Sequence, residues 1–448
     1  MNSTFCPLLL HNKIKLSILF AGLGILLFLG TGEQILAQGI NYPVSNPAGT
    51  SGTGNARTDP DNLFIRNNIA GMTEISVNDT EEADGKLGDS GKGGWRFLGE
   101  LQGAYFRYER ERNAGPLQGV KSNATIYPPG LAGEVTYTSG NHKYAFGVGV
   151  YSVFAFQSKV VDPDSLGSRA LFFDSKVGST DVAFGAAARL NKYVSVGGSF
   201  IFGRGFVDLK APNADLLRAG IVQDSRVDVT DIGAPGFSIG VHLRPTEKVN
   251  FGFNYKSRRE YDMTGDLTTA IPRPTTGGLQ LIPFTTNITT QFKLPQVVES
   301  GVQFKATKNF TFVADYRFYD YPNALETVVV KSEQSGQPLL SQTINAKNVH
   351  SVRFGSIYTV NDTTRLNFGL AFTSDGFRDQ FINPGLINTG GIDVSGAIYK
   401  KLFGQWFNVG IAGLIGRERI VEPQVNPAFS GAYRGHGIMI SLGMRLRK

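Results

Sequence analysis

The stretch Phe237-Ser238-Ile239-Gly240-Val241-His242-Leu243-Arg244, followed by Pro245-Thr246-Glu247 and then by Lys248-Val249-Asn250-Phe251-Gly252-Phe253-Asn254-Tyr255-Lys256, decides the fold. In the first arm Phe237, Ile239, Val241 and Leu243 alternate with Ser238, Gly240, His242 and Arg244. In the second, Val249, Phe251, Phe253 and Tyr255 alternate with Asn250, Gly252, Asn254 and Lys256. Side chains change face at every residue of a strand, so this is a β-hairpin with one apolar and one polar wall.

Copies of the pattern fill the chain from Arg96 onward. Fourteen strand candidates run from 96–108 to 435–447, with apolar faces such as Phe310, Phe312, Ala314, Tyr316 and Phe318, or Ile438, Ile440, Leu442, Met444 and Leu446. No helical periodicity competes. Short connections at 140–142, 190–192, 245–247, 306–308, 361–362 and 401–405 alternate with long ones at 109–130, 157–179, 208–234, 258–286, 319–348, 374–390 and 417–434. Short turns at one end and long loops at the other are the habit of transmembrane barrels. Strands with no helix layer must bury their apolar faces against a second sheet or against lipid. In lipid an open edge would leave backbone groups unpaired, so the sheet must close. The expected fold is all-β: a 14-stranded antiparallel transmembrane β-barrel, with a soluble β-sandwich as the alternative.

Composition agrees. The 448 residues hold 55 Gly, 32 Phe and 16 Tyr but only one Cys and two Trp, which suits aromatic-rich strands. The start reads as a signal peptide over 1–37: Lys13 and Lys15 precede an apolar run from Leu16 to Leu29, and Ala37 offers a cleavage point. Cys6 would leave with it, and so would any thiol chemistry. Cleavage would remove two lysines and one glutamate, taking the formal charge from +7 to +6. That mild charge carries no basic block for a phosphate backbone, so no nucleic acid partner is expected.

Residues 38–94 are rich in Gly, Asn, Asp, Ser and Thr around one apolar patch, Leu63, Phe64 and Ile65. The run from Leu63 to Met72 resembles the plug signature of the outer-membrane long-chain fatty-acid and aromatic-hydrocarbon transporters, the FadL/TodX type, in which an aromatic precedes Asn-Pro-Ala-Gly-Met. Phe292-Lys293-Leu294-Pro295 with Gly301, Asp315 and Tyr316 resembles that family's Leu-Pro strand and its successor. Arg353-Phe354-Gly355 with Tyr358, then Leu366-Asn367-Phe368-Gly369, is similar to its paired terminal strands. Two positions depart from the pattern: Ile69 stands where the family has Pro, which puts the tight turn in question, and the chain ends in Arg447-Lys448 rather than an aromatic, so its assembly signal is expected to differ.

The resemblance implies a plug over 38–94, carried by Phe64, Asn68, Ala70, Gly71 and Met72, inside a barrel over 95–448 in the bacterial outer membrane. It implies passive uptake of a hydrophobic small molecule or fatty acid with lateral release, contact with outer-membrane lipid, a monomer, no cofactor and no enzymatic activity. Residues Leu216, Leu217, Ile221 and Val222 in one loop and Leu279, Leu281, Ile282 and Phe284 in another would form the loop groove that collects substrate, or would pack loop on loop. Arg218, Arg317 and Arg353 are candidate carboxylate contacts; the alternative for the last two is an internal ion-pair network with Glu134, Glu299 and Asp315. A structural or protein-secretion accessory barrel of the same fold, binding a protein partner, is the alternative function.

Other chemistry falls away. Gly88-Asp89-Ser90-Gly91 lacks a further Gly and a His and Asp in a triad order. His142, His242, His350 and His436 are too scattered to show metal spacing, and Asp162 with Asp164 or Asp84 with Asp89 falls short of a calcium loop.

Overall fold

The structure is a computed structural model and describes residues 54–58, 61–74, 93–111, 121–126, 129–160, 174–212, 223–276, 278–382, 390–427 and 429–447. The expected signal peptide, the loop residues Leu216, Leu217, Arg218, Ile221 and Val222, and Gly88-Asp89-Ser90-Gly91 all lie outside them. Among the described residues no helix is long and apolar enough to cross a membrane.

In chain order the first strands are β1 (Gly94–Glu111), β2 (Lys121–Ile126), β3 (Pro129–Thr138), β4 (Tyr144–Val160), β5 (Asp174–Arg189), β6 (Val194–Pro212) and β7 (Asp224–Leu243). Next come β8 (Val249–Lys256), β9 (Arg259–Thr275), β10 (Gly278–Leu294), β11 (Val297–Lys305), β12 (Phe310–Tyr319), β13 (Thr327–Ser332) and β14 (Pro338–Thr343). The last are β15 (Val349–Asn361), β16 (Thr364–Thr373), β17 (Gly391–Leu402), β18 (Gln405–Gly416), β19 (Arg419–Val421) and β20 (Gly431–Arg447). Several are two halves of one wall strand: β8 and β9 both pair β7, and β11 and β10 pair them in turn. The wall is a closed 14-strand antiparallel barrel. β1 closes it by pairing β20 from Arg96↔Arg447 to Glu111↔Ala432.

The opening hairpin behaves as its alternation demands. Ile239 faces Tyr255 and Val241 faces Phe253 across the β7–β8 ladder, and Thr246 Oγ1 accepts from Val249 N at 3.1 Å to shape the turn. Phe237 is 45% exposed whereas Ser238 is 1% exposed, and Phe251 and Phe253 likewise face out while Asn250 and Asn254 are buried. The apolar face is the outside and the polar face the inside, the reverse of a water-soluble protein.

The long connections are less loop-like than the sequence suggests. The expected loop 258–286 is mostly strand: 259–275 form β9 and 278–286 open β10, and the two pair from Gly278↔Thr275 to Leu294↔Arg259. Residues 319–348 contain the β13–β14 hairpin, and 109–130 contain β2. Barrel strands that outrun the membrane keep their ladder partners, so prolines and glycines that read as loop sit in extended hairpins instead.

The wall also changes phase. Inward positions of β7 are even-numbered at Ser238, Gly240 and His242 but odd at Val227 and Val229. Between them, Ile201↔Gly236 and Gly203↔Gly233 leave Ala234 and Pro235 opposite Phe202 alone, with Ala234 at φ 44. This is a bulge, forced where Pro235 has no N–H to give the ladder. One extra residue turns every later side chain over. On its other edge β7 pairs β8 down to Ser238↔Lys256 and β9 only from Thr230↔Thr264, so the seven positions 231–237 carry no ladder pairing there. β8 and β9 reverse phase at Ser257 and Arg258, and β11 and β10 at Pro295 and Gln296.

Candidate functional site

The plug comes first, because it sets the floor of the lumen. Its described part is residues 54–58 and 61–74, with a short helix α1 (Phe64–Asn67) and a 3₁₀ turn (Ile69–Glu74). Leu63, Phe64, Ile65, Ile69 and Met72 are buried with Leu98, Ala132, Ala145, Tyr151, Ala183 and Ile201 of the wall. Phe64 lies so close to Gly71 that a Cβ there would stand 2.5 Å from its ring. That contact explains the pairing of an aromatic with Gly in the signature.

Ile69 forms the turn without Pro. Asn68 Oδ1 accepts from Ala70 N at 3.2 Å and Asn68 O from Gly71 N at 3.0 Å, so the Asn supplies the closure. Ile69 itself is fully buried between Gly185 and Gly197, glycines whose lack of a side chain makes its seat.

The plug is held around the wall. Gly54 N and Asn55 N donate to Asp315 Oδ2 at 2.7 and 3.0 Å, and Ile65 N donates to Glu134 Oε2 at 3.0 Å while Arg96 also grips Glu134. Asp61 pairs with Arg365 at 2.9 Å and with Arg445 at 3.3 Å, both cations lying over the Trp406 ring. Asn68 Nδ2 donates to Val241 O at 3.0 Å. Glu74 receives Arg189 at 3.0 Å, Arg244 at 2.8 Å and the Ser195 hydroxyl at 3.0 Å. Burial pushes the Glu74 carboxyl up, but Arg189, His242, Arg244 and Ser195 together hold it below the usual carboxylate range.

Above the plug the lumen is apolar. Phe106 and Tyr108 of β1, Val227 and Val229 of β7, Tyr261 and Met263 of β9, and Ile288 and Leu294 of β10 form one buried cluster. The three reversed stretches supply most of it, since their phase change turns inward the apolar positions of β7, β9 and β10. Val153, beside a bulge in β4, packs against both this cluster and the plug cluster. The two apolar clusters therefore meet at Val153. Sequence reasoning missed these residues because it carried one phase along each strand, and the phase reverses within β7 and between β8 and β9 and between β11 and β10; Pro235 and Pro295 inside strand patterns were the available signal.

At that junction stands Arg66, on α1. It is 6% exposed, its guanidinium lies 5.8 Å from the Tyr151 ring, and Nη1 has no hydrogen-bond partner. Burial, and then the nearby Arg317, push it down to about 10, still a cation at neutral pH. Arg317 is itself paired, with Glu299 at 3.0 Å, and Arg353 donates to Ser351 Oγ at 3.0 Å. Both are buried in the polar wall network. Of the expected groove residues, Leu279, Leu281, Ile282 and Phe284 lie on β10, with Ile282 opposite Ile271 and both exposed. Among the described residues no His, Cys, Asp and Glu group is arranged to hold a metal.

A closed barrel, apolar outside, with a seated plug below an apolar lumen defines a channel class rather than a solvent-filled pore. Residues 32–382 match the family described as outer membrane protein transport protein (OMPP1/FadL/TodX), and the chain belongs to that family. Among solved structures it is similar to a Pseudomonas aeruginosa FadL homologue, with 15% identity and TM-score 0.72 over 91% of this chain and 99% of that one. It is also similar to the Ralstonia pickettii toluene transporter TbuX, with 16% identity and TM-score 0.63 over 92% and 99%. The P. putida toluene transporter TodX gives 13% identity and TM-score 0.64 over 93% and 99%. At these identities the likeness is one of fold. No curated protein sequence matches.

Proposed function

We propose that this protein is a passive bacterial outer-membrane channel, working as a monomer, for hydrophobic small molecules such as fatty acids or aromatic hydrocarbons. The observation that carries the reading is the apolar lining that Val153 joins from the outer lumen to the plug. A water-filled pore would gain nothing from such a lining, whereas an apolar solute leaves water on entering it. Exposed Ile271, Ile282 and Phe284 on the β9–β10 hairpin would collect the solute. Lateral release is supported by the interruption of the ladder on that edge of β7 over 231–236, beyond the last backbone bond, which Ser257 N donates to Phe237 O at 2.9 Å.

The test is uptake. Cells lacking the native gene, with and without the protein supplied in trans, are given radiolabelled fatty acid and radiolabelled toluene. Faster accumulation of either supports the channel. Equal accumulation of both, together with a stably co-purifying protein, would instead favour an accessory barrel with a protein partner.

A further inference from the structure

The short turns that close one end of the barrel carry a one-sided charge. Lys143 leaves the β3–β4 turn, Lys192 sits in the β5–β6 turn, Lys248 leaves the β7–β8 turn and Lys308 lies in the β11–β12 turn, all of them exposed. None of these four forms an ion pair with a described residue. At the β17–β18 turn Lys400 is exposed in phase with the outward Ile398, and its Nζ donates to Thr364 Oγ1 at 2.8 Å. The carboxylates of these turns are Glu247 and Asp362.

The opposite end answers its cations. Arg226 pairs with Asp208 at 2.9 Å and with Asp228 at 3.0 Å, Arg434 with Glu418 at 2.7 Å and Lys347 with Asp375 at 2.7 Å. Unanswered positive charge is thus a property of the short-turn rim.

Apolar side chains stand beside the lysines. Leu190 and Tyr193 are exposed, and Lys192 Nζ lies 4.8 Å from the centroid of the Tyr193 ring. Phe403 is 98% exposed and is held at φ 53, a backbone region that a bulky side chain rarely adopts. A strained aromatic with no protein around it is covered if its ring enters the headgroup layer of a membrane. Lysines next to aromatics at such a boundary lay their stems against the apolar layer and hold the ammonium at the headgroups. The lysines also come from hairpins spread around the wall. One folded partner would cover a patch of that circle, whereas a membrane touches all of it.

We propose that the short-turn rim is a collar for anionic lipid: Lys143, Lys192, Lys248, Lys308 and Lys400 bind the phosphates of anionic glycerophospholipids in the periplasmic leaflet, while Tyr193 and Phe403 seat among the headgroups. The collar goes beyond the channel reading and does not depend on what passes through the lumen. It requires only that the short turns face the periplasm.

The test uses the full-length protein in phosphatidylcholine membranes, with spin-labelled phosphatidylglycerol or spin-labelled phosphatidylcholine as the probe. Electron spin resonance gives the fraction of each probe immobilised on the barrel. The wild type should hold phosphatidylglycerol at least about threefold more strongly than phosphatidylcholine. A variant combining Lys143→Gln, Lys192→Gln, Lys248→Gln and Lys308→Gln should bring the two close to equality. A control combining Lys210→Gln, Arg273→Gln, Lys331→Gln and Arg378→Gln loses as much charge from the other end and should keep the wild-type preference. Each is checked for heat-dependent gel mobility as a sign of a folded barrel. A rim variant that keeps the preference overturns the collar, and so does a control that loses it equally. No preference in the wild type also overturns it and leaves an acidic protein as the occupant of the rim. Should the rim variant not fold, salt decides on the wild type: a preference abolished at about 1 M NaCl supports the collar, and one indifferent to salt overturns it. Uptake of radiolabelled fatty acid, measured on the same variants, reads the channel separately.

Discussion

Arg259 holds Asp181 by both ends of its guanidinium, Nη1 to Oδ1 at 2.6 Å and Nη2 to Oδ2 at 2.5 Å, reaching from β9 to β5 past the two strands between. The side chain passes directly behind Gly236, where an added Cβ would stand 2.4 Å from its Cδ, so it lines the inside of the wall where the β7 ladder is broken.

Removing one partner strands the other as an unpaired buried charge, at a cost of about 3–5 kcal/mol. Arg259→Met and Asp181→Leu should each lower the urea midpoint of the refolded barrel. The double variant should recover much of the loss, because neither charge then remains. Additive losses in the double variant would refute the pair's dominance.

The Glu74 clamp is pH-dependent in a definite sense. Its folded carboxyl titrates below the ordinary value of 4.5, so the stabilisation is complete above that value and is lost as pH falls through the lower, folded one. Protease cleavage within the plug should therefore be slow at pH 7 and rise in acid below about pH 4.5. Glu74→Gln should already be cut faster at pH 7, and its rate should respond less to acid.

Gly252 touches the plug backbone so closely that a Cβ would lie 2.0 Å from Asn55 O. Backbone cannot swing aside as a side-chain tip can. Gly252→Ala should leave the barrel folded but displace residues 54–56, raising single-channel conductance in planar bilayers. A quiet channel indistinguishable from wild type would contradict that packing.

Phe368, 55% exposed near the middle of β16, faces lipid. Phe368→Arg should destabilise the barrel in vesicles by about 2–4 kcal/mol, as charges on a lipid-facing strand do near the midplane. Refolding yield and urea titration in phosphatidylcholine vesicles measure it.

Alternation made the wall legible, since a strand with Phe251 and Phe253 on one side and Asn250 and Asn254 on the other has only one way to sit in a membrane. The apolar patch Leu63, Phe64 and Ile65 was legible as something that packs, although the seat of Ile69 needed the two glycines opposite it. The apolar lumen was not. Val227 and Val229 share the odd-numbered phase of Ile239 and Val241, yet the bulge at Ala234 and Pro235 sends the first pair in and the second out. Residues 258–286 read as a loop because Pro272, Pro274 and Pro283 interrupt them, whereas long barrel hairpins tolerate proline away from the membrane. Nothing local marks Arg66 as unpaired, because pairing depends on groups that only the closed wall brings near.

The links from Asp315, Arg365 and Arg445 to the plug carry a consequence for assembly. The segment that is made early in the chain has its seat on strands made late, with Asp61 and Arg365 separated by 304 positions. Contacts so distant in sequence form only after the loops between them have closed. Until β20 lies against β1 the cradle for residues 54–58 and 61–74 lacks Arg445, so the first segment docks fully only in a closed barrel. A seated plug is thus a certificate that the cylinder around it has been finished.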